Sequence, residues 1–417
     1  MKRRNFLASL AALSLVAPEA WAAKKPAAKS SGKPAAKSKT ASKKTAGKPN
    51  SKSGSNKPKG PVAHTAEDSV IEKPPQGTSA SRLPPVKAAE PPTEWRTYEI
   101  TTSVNLKNAR GQSRFWLPLP LNLDTLFQRT LGYSWSGNPD NSIMRRFPDG
   151  DLEVFQCEWK DGSDARLQTK TLVSTADRHF DVTKRTIAPE RDDILRRNLQ
   201  SSQLIPNDGL AHQLGERIIG RIKDPVAQVK AIYEWVTENA IYDPSLPGCG
   251  KGDVRRQLIE GQYGGRSADI NGLFVSICRS VGIPARCVYG LRVAPSRLFR
   301  SLGLTSDDAT RAQHVRAEFY IPGYGWVPVD PSDVRRAIAM EGLSDRDSRL
   351  NSLRKVLFGV WEMNWIAFNL GTDITLPGKQ LPMPFLQHPQ LESDAGHADG
   401  KDPYSFEYSI KARRIEL

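Results

Sequence analysis

Long apolar runs are missing from this chain. The stretch that comes nearest, Phe6–Ala17, has 12 residues, too few to span a bilayer as a stable helix. No membrane-spanning run follows it, so the mature protein is expected to be soluble. Cysteine and histidine are also scarce, four and six in 417 residues. There is no Cys-x-x-Cys pair and no cluster of histidines, so no metal site is expected, and no cofactor either. Gly264-Gly265 is not followed by Lys-Ser or Lys-Thr, which excludes a phosphate loop. Acids are nearly absent from one end: residues 1–60 hold 15 basic residues and the single acid Glu19. Residues 61–417 hold 45 basic and 44 acidic residues, so the net charge of +15 belongs almost wholly to the N-terminal segment. The body of the protein lacks the basic face of a nucleic-acid binder, and no nucleic-acid partner is expected.

That N-terminal segment has two parts. Met1-Lys2-Arg3-Arg4, the short apolar run and the small-x-small Ala20-Trp21-Ala22 predict a signal peptide over residues 1–22, hence a periplasmic or otherwise exported protein. Arg3-Arg4-Asn5-Phe6-Leu7 resembles a twin-arginine motif, with Lys2 where Ser or Thr is more usual; an ordinary secretory signal is the alternative. Residues 23–92 follow as a linker rich in Lys, Ala and Pro. Its block Lys24–Lys59 carries twelve lysines, no acid and no aromatic for base stacking. Such a composition cannot offset its ordering entropy and predicts disorder. It serves either as a solvated spacer or as a contact to anionic envelope polymers and headgroups.

Beyond the linker the periodicity is that of a folded protein. Tyr98, Ile100, Thr102, Val104 and Leu106 alternate onto one face. Phe115–Pro120, Leu152–Trp159 and Leu167–Thr175 also read as strands, so residues 93–195 are expected to form a β-rich domain. From 196 to 417 the pattern is α+β. Asp224-Pro225 caps a helix running to about Asn239, and Ser267–Ser280 forms a second helix stopped by Gly282 and Pro284. Strands follow at 285–293 and 312–321, with a turn at Pro322–Gly325 into Trp326–Asp330. Phe406, Tyr408 and Ile410 alternate as a terminal strand.

Three residues of this second region form a candidate site. Antiparallel pairing about the turn brings His314 and Asp330 to nearly matching height on neighbouring strands. A carboxylate beside an imidazole sets its tautomer and stabilises the imidazolium formed in proton abstraction. Ser267 begins a helix, where free amide N–H groups and the dipole favour developing negative charge.

The motifs around these residues, Gly264–Asn271, Cys278-Arg279, Gly282–Arg286, His314–Glu318 and Gly325–Pro331, resemble the transglutaminase-like superfamily over about 225–335. Gly248–Asp253 and Asn364–Asn369 resemble bacterial exported members. The resemblance implies a papain-like core, a nucleophile on a helix followed by a sheet bearing His and Asp, and cysteine-type chemistry on peptide or side-chain amides.

One position departs from the pattern: the family's nucleophile is Cys, aligned here with Ser267. A thiol readily becomes a thiolate beside histidine, whereas a hydroxyl must lose its proton during attack. Two functions stay open. One is a hydrolase or acyl transferase acting on amide bonds of peptides or envelope polymers through Ser267, His314 and Asp330. The other is a catalytically inactive module that binds such ligands, with Pro295–Asp308 a candidate lid. Cys249, in a Gly-rich loop before the helix, is a weaker nucleophile candidate or a disulfide partner. Gln262, Tyr263 and Tyr242 are weaker site candidates. Trp235, Trp365, Asn369 and Asp373 read as packing residues.

Overall fold

The computed structural model describes Pro92 and residues 94–106, 109–180, 189–344, 346–379, 382–402 and 404–416. The predicted signal peptide lies outside these residues, as does the predicted lysine-rich linker apart from Pro92. In the strand Arg96–Asn105 the predicted alternation is present: Tyr98, Ile100, Thr102 and Val104 are buried, while Glu99, Thr101 and Ser103 are half-buried. This strand pairs antiparallel with Arg166–Thr175 on one side and with the terminal strand Glu407–Ile415 on the other. Gln128–Gly137 completes this four-stranded sheet at its edge. A second, five-stranded sheet runs in the order 396–399, 390–393, 113–118, 152–159, 141–147. The two sheets share a core of Val104, Leu167, Phe115, Phe155 and Leu391. Both therefore combine strands from before residue 180 with strands from after residue 389.

The α+β part is built around the helix Ser267–Ser280, which is buried on every side except at Ser280. Ile270, Leu273, Phe274 and Ile277 have no exposed surface. Burying side chains of this kind contributes about 1.5–3 kcal/mol each, so the helix is held by packing around its whole circumference. The helix Pro225–Asn239 packs beside it, begun by Asp224, whose carboxylate accepts the Ala227 N–H at 2.8 Å.

Against the central helix lies an antiparallel sheet in the order 325–329, 313–321, 285–292, 365–369. Towards its far end Leu291, Ile366 and Phe368 cluster with Tyr98, Ile100, Val173 and Ile410 of the first β-sheet. The fold is thus α+β, a core centred on one buried helix together with a β-rich N-terminal region. Among the described residues no helix is long and apolar enough to cross a membrane.

Candidate active site

Asp330 closes the hairpin strand Gly325–Val329 and caps the helix Pro331–Glu341, accepting the Asp333 N–H at 3.1 Å. Proline at the first helical position needs no donor partner there, so the Asp-Pro junction converts the strand into a helix at the site itself. The hairpin register pairs Ala317 with Val329. Continued one residue, it sets Asp330 opposite Arg316, so His314 stands diagonally across rather than at matching height. Diagonal neighbours on one face remain in reach, and His314 Nε2 lies 2.7 Å from Asp330 Oδ2. Arg316 Nε lies 3.7 Å from the same oxygen.

The carboxylate is held from all sides. Its Oδ1 accepts from Ser332 Oγ at 2.7 Å and from Asn271 Nδ2 at 3.2 Å. Nε2–H donates to Asp330, which leaves Nδ1 as the lone-pair nitrogen of the imidazole. Burial, followed by the repulsion of Arg292, drives the His314 pKa well below its ordinary value, so the ring is neutral at physiological pH. Arg292 is itself paired with Asp333 at 2.5 Å.

Ser267 is the first residue of its helix, with Arg266 at the cap. The residue is 4 % exposed, and its hydroxyl accepts the Val315 N–H at 3.1 Å. One turn along, Asn271 Nδ2 donates to the Val315 carbonyl at 2.6 Å. The helix start thereby occupies the edge of the His314 strand where the hairpin partner has ended. Among the described residues no hydrogen bond joins Ser267 to His314. The Ala268 N–H is taken by the Cys249 carbonyl at 2.8 Å.

The Gly264-Gly265 pair has a local explanation. Asp269 folds back to accept the Arg266 N–H at 2.8 Å and those of Lys251 and Gly252 at 3.0 and 2.7 Å. Gly265, at φ +126, lies so near this carboxylate that a Cβ would stand 2.4 Å from Oδ2; at Gly250, φ +99, the distance would be 1.8 Å. The glycines let two loops close on Asp269, and this closure sets the position of Ser267.

The sequence from 212 to 331 matches the family model described as the transglutaminase-like superfamily. An uncharacterized protein of Haemophilus influenzae is 30% identical over 345 residues, covering 78% of this chain and 93% of that relative.

The chain belongs to the transglutaminase-like superfamily.

Solved structures similar to it include a candidate cysteine protease from Cytophaga hutchinsonii, 17% identical, with a TM-score of 0.44 over 77% of this chain and 99% of that one. Another is the periplasmic domain of TgpA from Pseudomonas aeruginosa, 17% identical, with a TM-score of 0.31 over 60% of this chain and 97% of that one.

Within this transglutaminase-like site, Asn271, Asp333, Arg292 and Arg316 are residues that sequence reasoning missed. Two had signals. Asp330-Pro331-Ser332-Asp333 has the acidic cap and acidic third position of a helix start, and Asn271 lies four residues after Ser267 on the same helix face. The two arginines alternate on strands and carry no such sign. His314, Asp330 and Asp333 present ligand atoms within 4.8 Å of one another. Those oxygens already accept from Asn271, Ser332, His314 and Arg292, and a cation there would also meet Arg316, so the donor set fits a charge network rather than a metal site.

The remaining candidates fall outside the central cluster. Cys249 is buried, donates to Gln387 Oε1 at 2.6 Å, and its thiol is pushed up to about 12 by burial. All four cysteines are free and buried. Tyr263 stacks edge-on against Trp235 at 5.0 Å, and Gln262 is exposed. Tyr242 is hydrogen-bonded by Arg336. Trp365 supports the site from behind, donating to the His314 carbonyl at 3.0 Å. Asn369 donates to the Leu386 carbonyl at 2.8 Å and Asp373 accepts the Gln203 N–H at 2.9 Å. The Pro295–Asp308 segment is fastened, since the Leu302 carbonyl accepts from both Arg292 and Asn364.

Proposed function

We propose that this superfamily member acts outside the cytoplasm on amide bonds of peptides or envelope polymers, with Ser267 as nucleophile, His314 as general base and Asp330 as the orienting acid. The observation that carries the reading is the His314–Asp330 pair, buried, 2.7 Å apart and holding a neutral imidazole. A hydroxyl nucleophile needs such a base, because its proton must leave as the bond forms. Attack of Oγ on the amide carbon passes that proton to His314. Collapse of the tetrahedral adduct returns it to the departing amine and leaves an acyl-serine, which water or a second amine then relieves. Export rests on the basic start, apolar run and small-x-small motif of residues 1–22.

One observation favours a second reading, binding without cleavage: the Ser267 hydroxyl is buried and bonded to the Val315 amide. A serine-directed phosphonate probe separates the two. Labelling of the wild type that disappears in Ser267→Ala supports the nucleophile. No wild-type labelling, with hydrolysis appearing only in Ser267→Cys, would show a site shaped for the thiol and inert with the hydroxyl.

A further inference from the structure

Beside the site lies a cavity of about 570 Å³ whose wall includes Arg266 and Gln313, the residues immediately before Ser267 and His314. Three chain segments contribute cations to it, Arg266, Arg311 and Lys401, against one acid, Glu407. Two further wall residues have unmet hydrogen bonding. Gln313 is 7 % exposed; its Nε2 donates to the Thr310 carbonyl at 3.2 Å, while Oε1 has no partner. His388 is 5 % exposed, with neither ring nitrogen partnered. The aromatic residues Tyr404, Phe406 and Tyr408 also line it.

Cations call for an anionic acceptor, an orphaned carboxamide oxygen calls for an N–H donor, and aromatic walls take apolar side-chain surface. A peptide carrying a carboxylate offers all three, whereas a bare phosphate offers only the first. We propose that this cavity is the ligand cleft of the site and selects acidic peptides, with Arg311 and Lys401 receiving the carboxylate and Gln313 receiving a backbone N–H. The proposal rests on the amide-directed reading above, and its test does not depend on turnover.

The test is a binding titration of the full chain with two probes, N-acetyl-Ala-Glu bearing a free C-terminus and its neutral counterpart N-acetyl-Ala-Gln-amide. The wild type and Ser267→Ala are both expected to prefer the acidic probe by about tenfold or more, the scale of a charge-assisted contact. The Arg311→Gln, Lys401→Gln double variant should lower that preference to within about twofold. Arg311→Gln alone alters an exposed side chain and leaves the fold intact, and should lower it by about threefold. Equal affinity for the two probes, absence of binding by both, or a preference untouched by these variants overturns the proposal. So does displacement of the acidic probe by inorganic phosphate at equal concentration, which marks a bare anion site. Acidic preference without phosphonate labelling removes the nucleophile and leaves the cleft; labelling without preference does the reverse.

Discussion

Ser267 and Val315 are joined helix to strand edge: the serine Oγ accepts the valine N–H at 3.1 Å. The neighbouring strand Gly325–Val329 stops opposite Ala317, so the peptide groups of Val315 lie beyond the hairpin ladder. The helix satisfies both, through Ser267 for the N–H and Asn271 for the carbonyl. Buried backbone groups demand partners, so this contact places the start of the helix beside His314. It occupies an oxygen lone pair and leaves the hydroxyl proton free to be given up.

Ser267→Ala should therefore destabilise the protein as well as remove the nucleophile. It strands the Val315 N–H in a buried position, at a cost of about 1–3 kcal/mol. Thermal unfolding checks this, and an unchanged Tm would show that water replaces the hydroxyl.

Asp330→Asn keeps an oxygen to cap the Pro331–Glu341 helix but loses the carboxylate that sets the His314 tautomer. The rate of phosphonate labelling should fall by roughly 10³–10⁴-fold, with far-UV circular dichroism unchanged. A fall of less than about tenfold would mean that another group, such as Asp333, orients the ring.

Acid should weaken the fold through two buried histidines. Burial lowers the pKa of His388 to about 4 and that of His314 well below its ordinary value. Below about pH 6.5 the unfolded chain binds protons that the folded chain refuses, so each histidine lowers stability as pH falls, by about 1.4 kcal/mol per pH unit. For His388 this loss runs from about 6.5 down to about 4, and levels off below. Denaturant titrations between pH 7 and 4 should show the slope, and His388→Gln should remove its share.

Cys249 should be inert. Its thiol is buried, bonded to Gln387 and pushed up to about 12, so little thiolate exists at neutral pH. Thiol titration of the native protein should leave it unmodified, and Cys249→Ser should label with the phosphonate as the wild type does. Loss of labelling in that variant would move the nucleophile from residue 267 to residue 249.

Much of the fold was legible in local patterns. The helices at 225–239 and 267–280 and the strands at 285–292 and 313–321 follow from caps, stop residues and periodicity within about two residues. Gln128–Gly137 and Asn141–Phe147 were not legible. They are edge strands with mostly exposed or half-buried residues, so no apolar face marks them in the sequence.

By itself the sequence determined where the charge lies, which segments form helix or strand, the family motifs, and the presence of serine where that family carries cysteine. These are one-dimensional properties, set by composition, by spacing and by the chemistry of single residues. Tertiary structure alone decided that residues 390–415 complete the β-rich sheets and that Asp330 stands diagonal to His314. It also decided that Arg292 and Arg316 crowd the histidine, and that the Ser267 hydroxyl faces the Val315 amide. Those relations depend on strand register and on which buried groups lack a partner. Register and burial arise only when segments far apart in the chain are packed together.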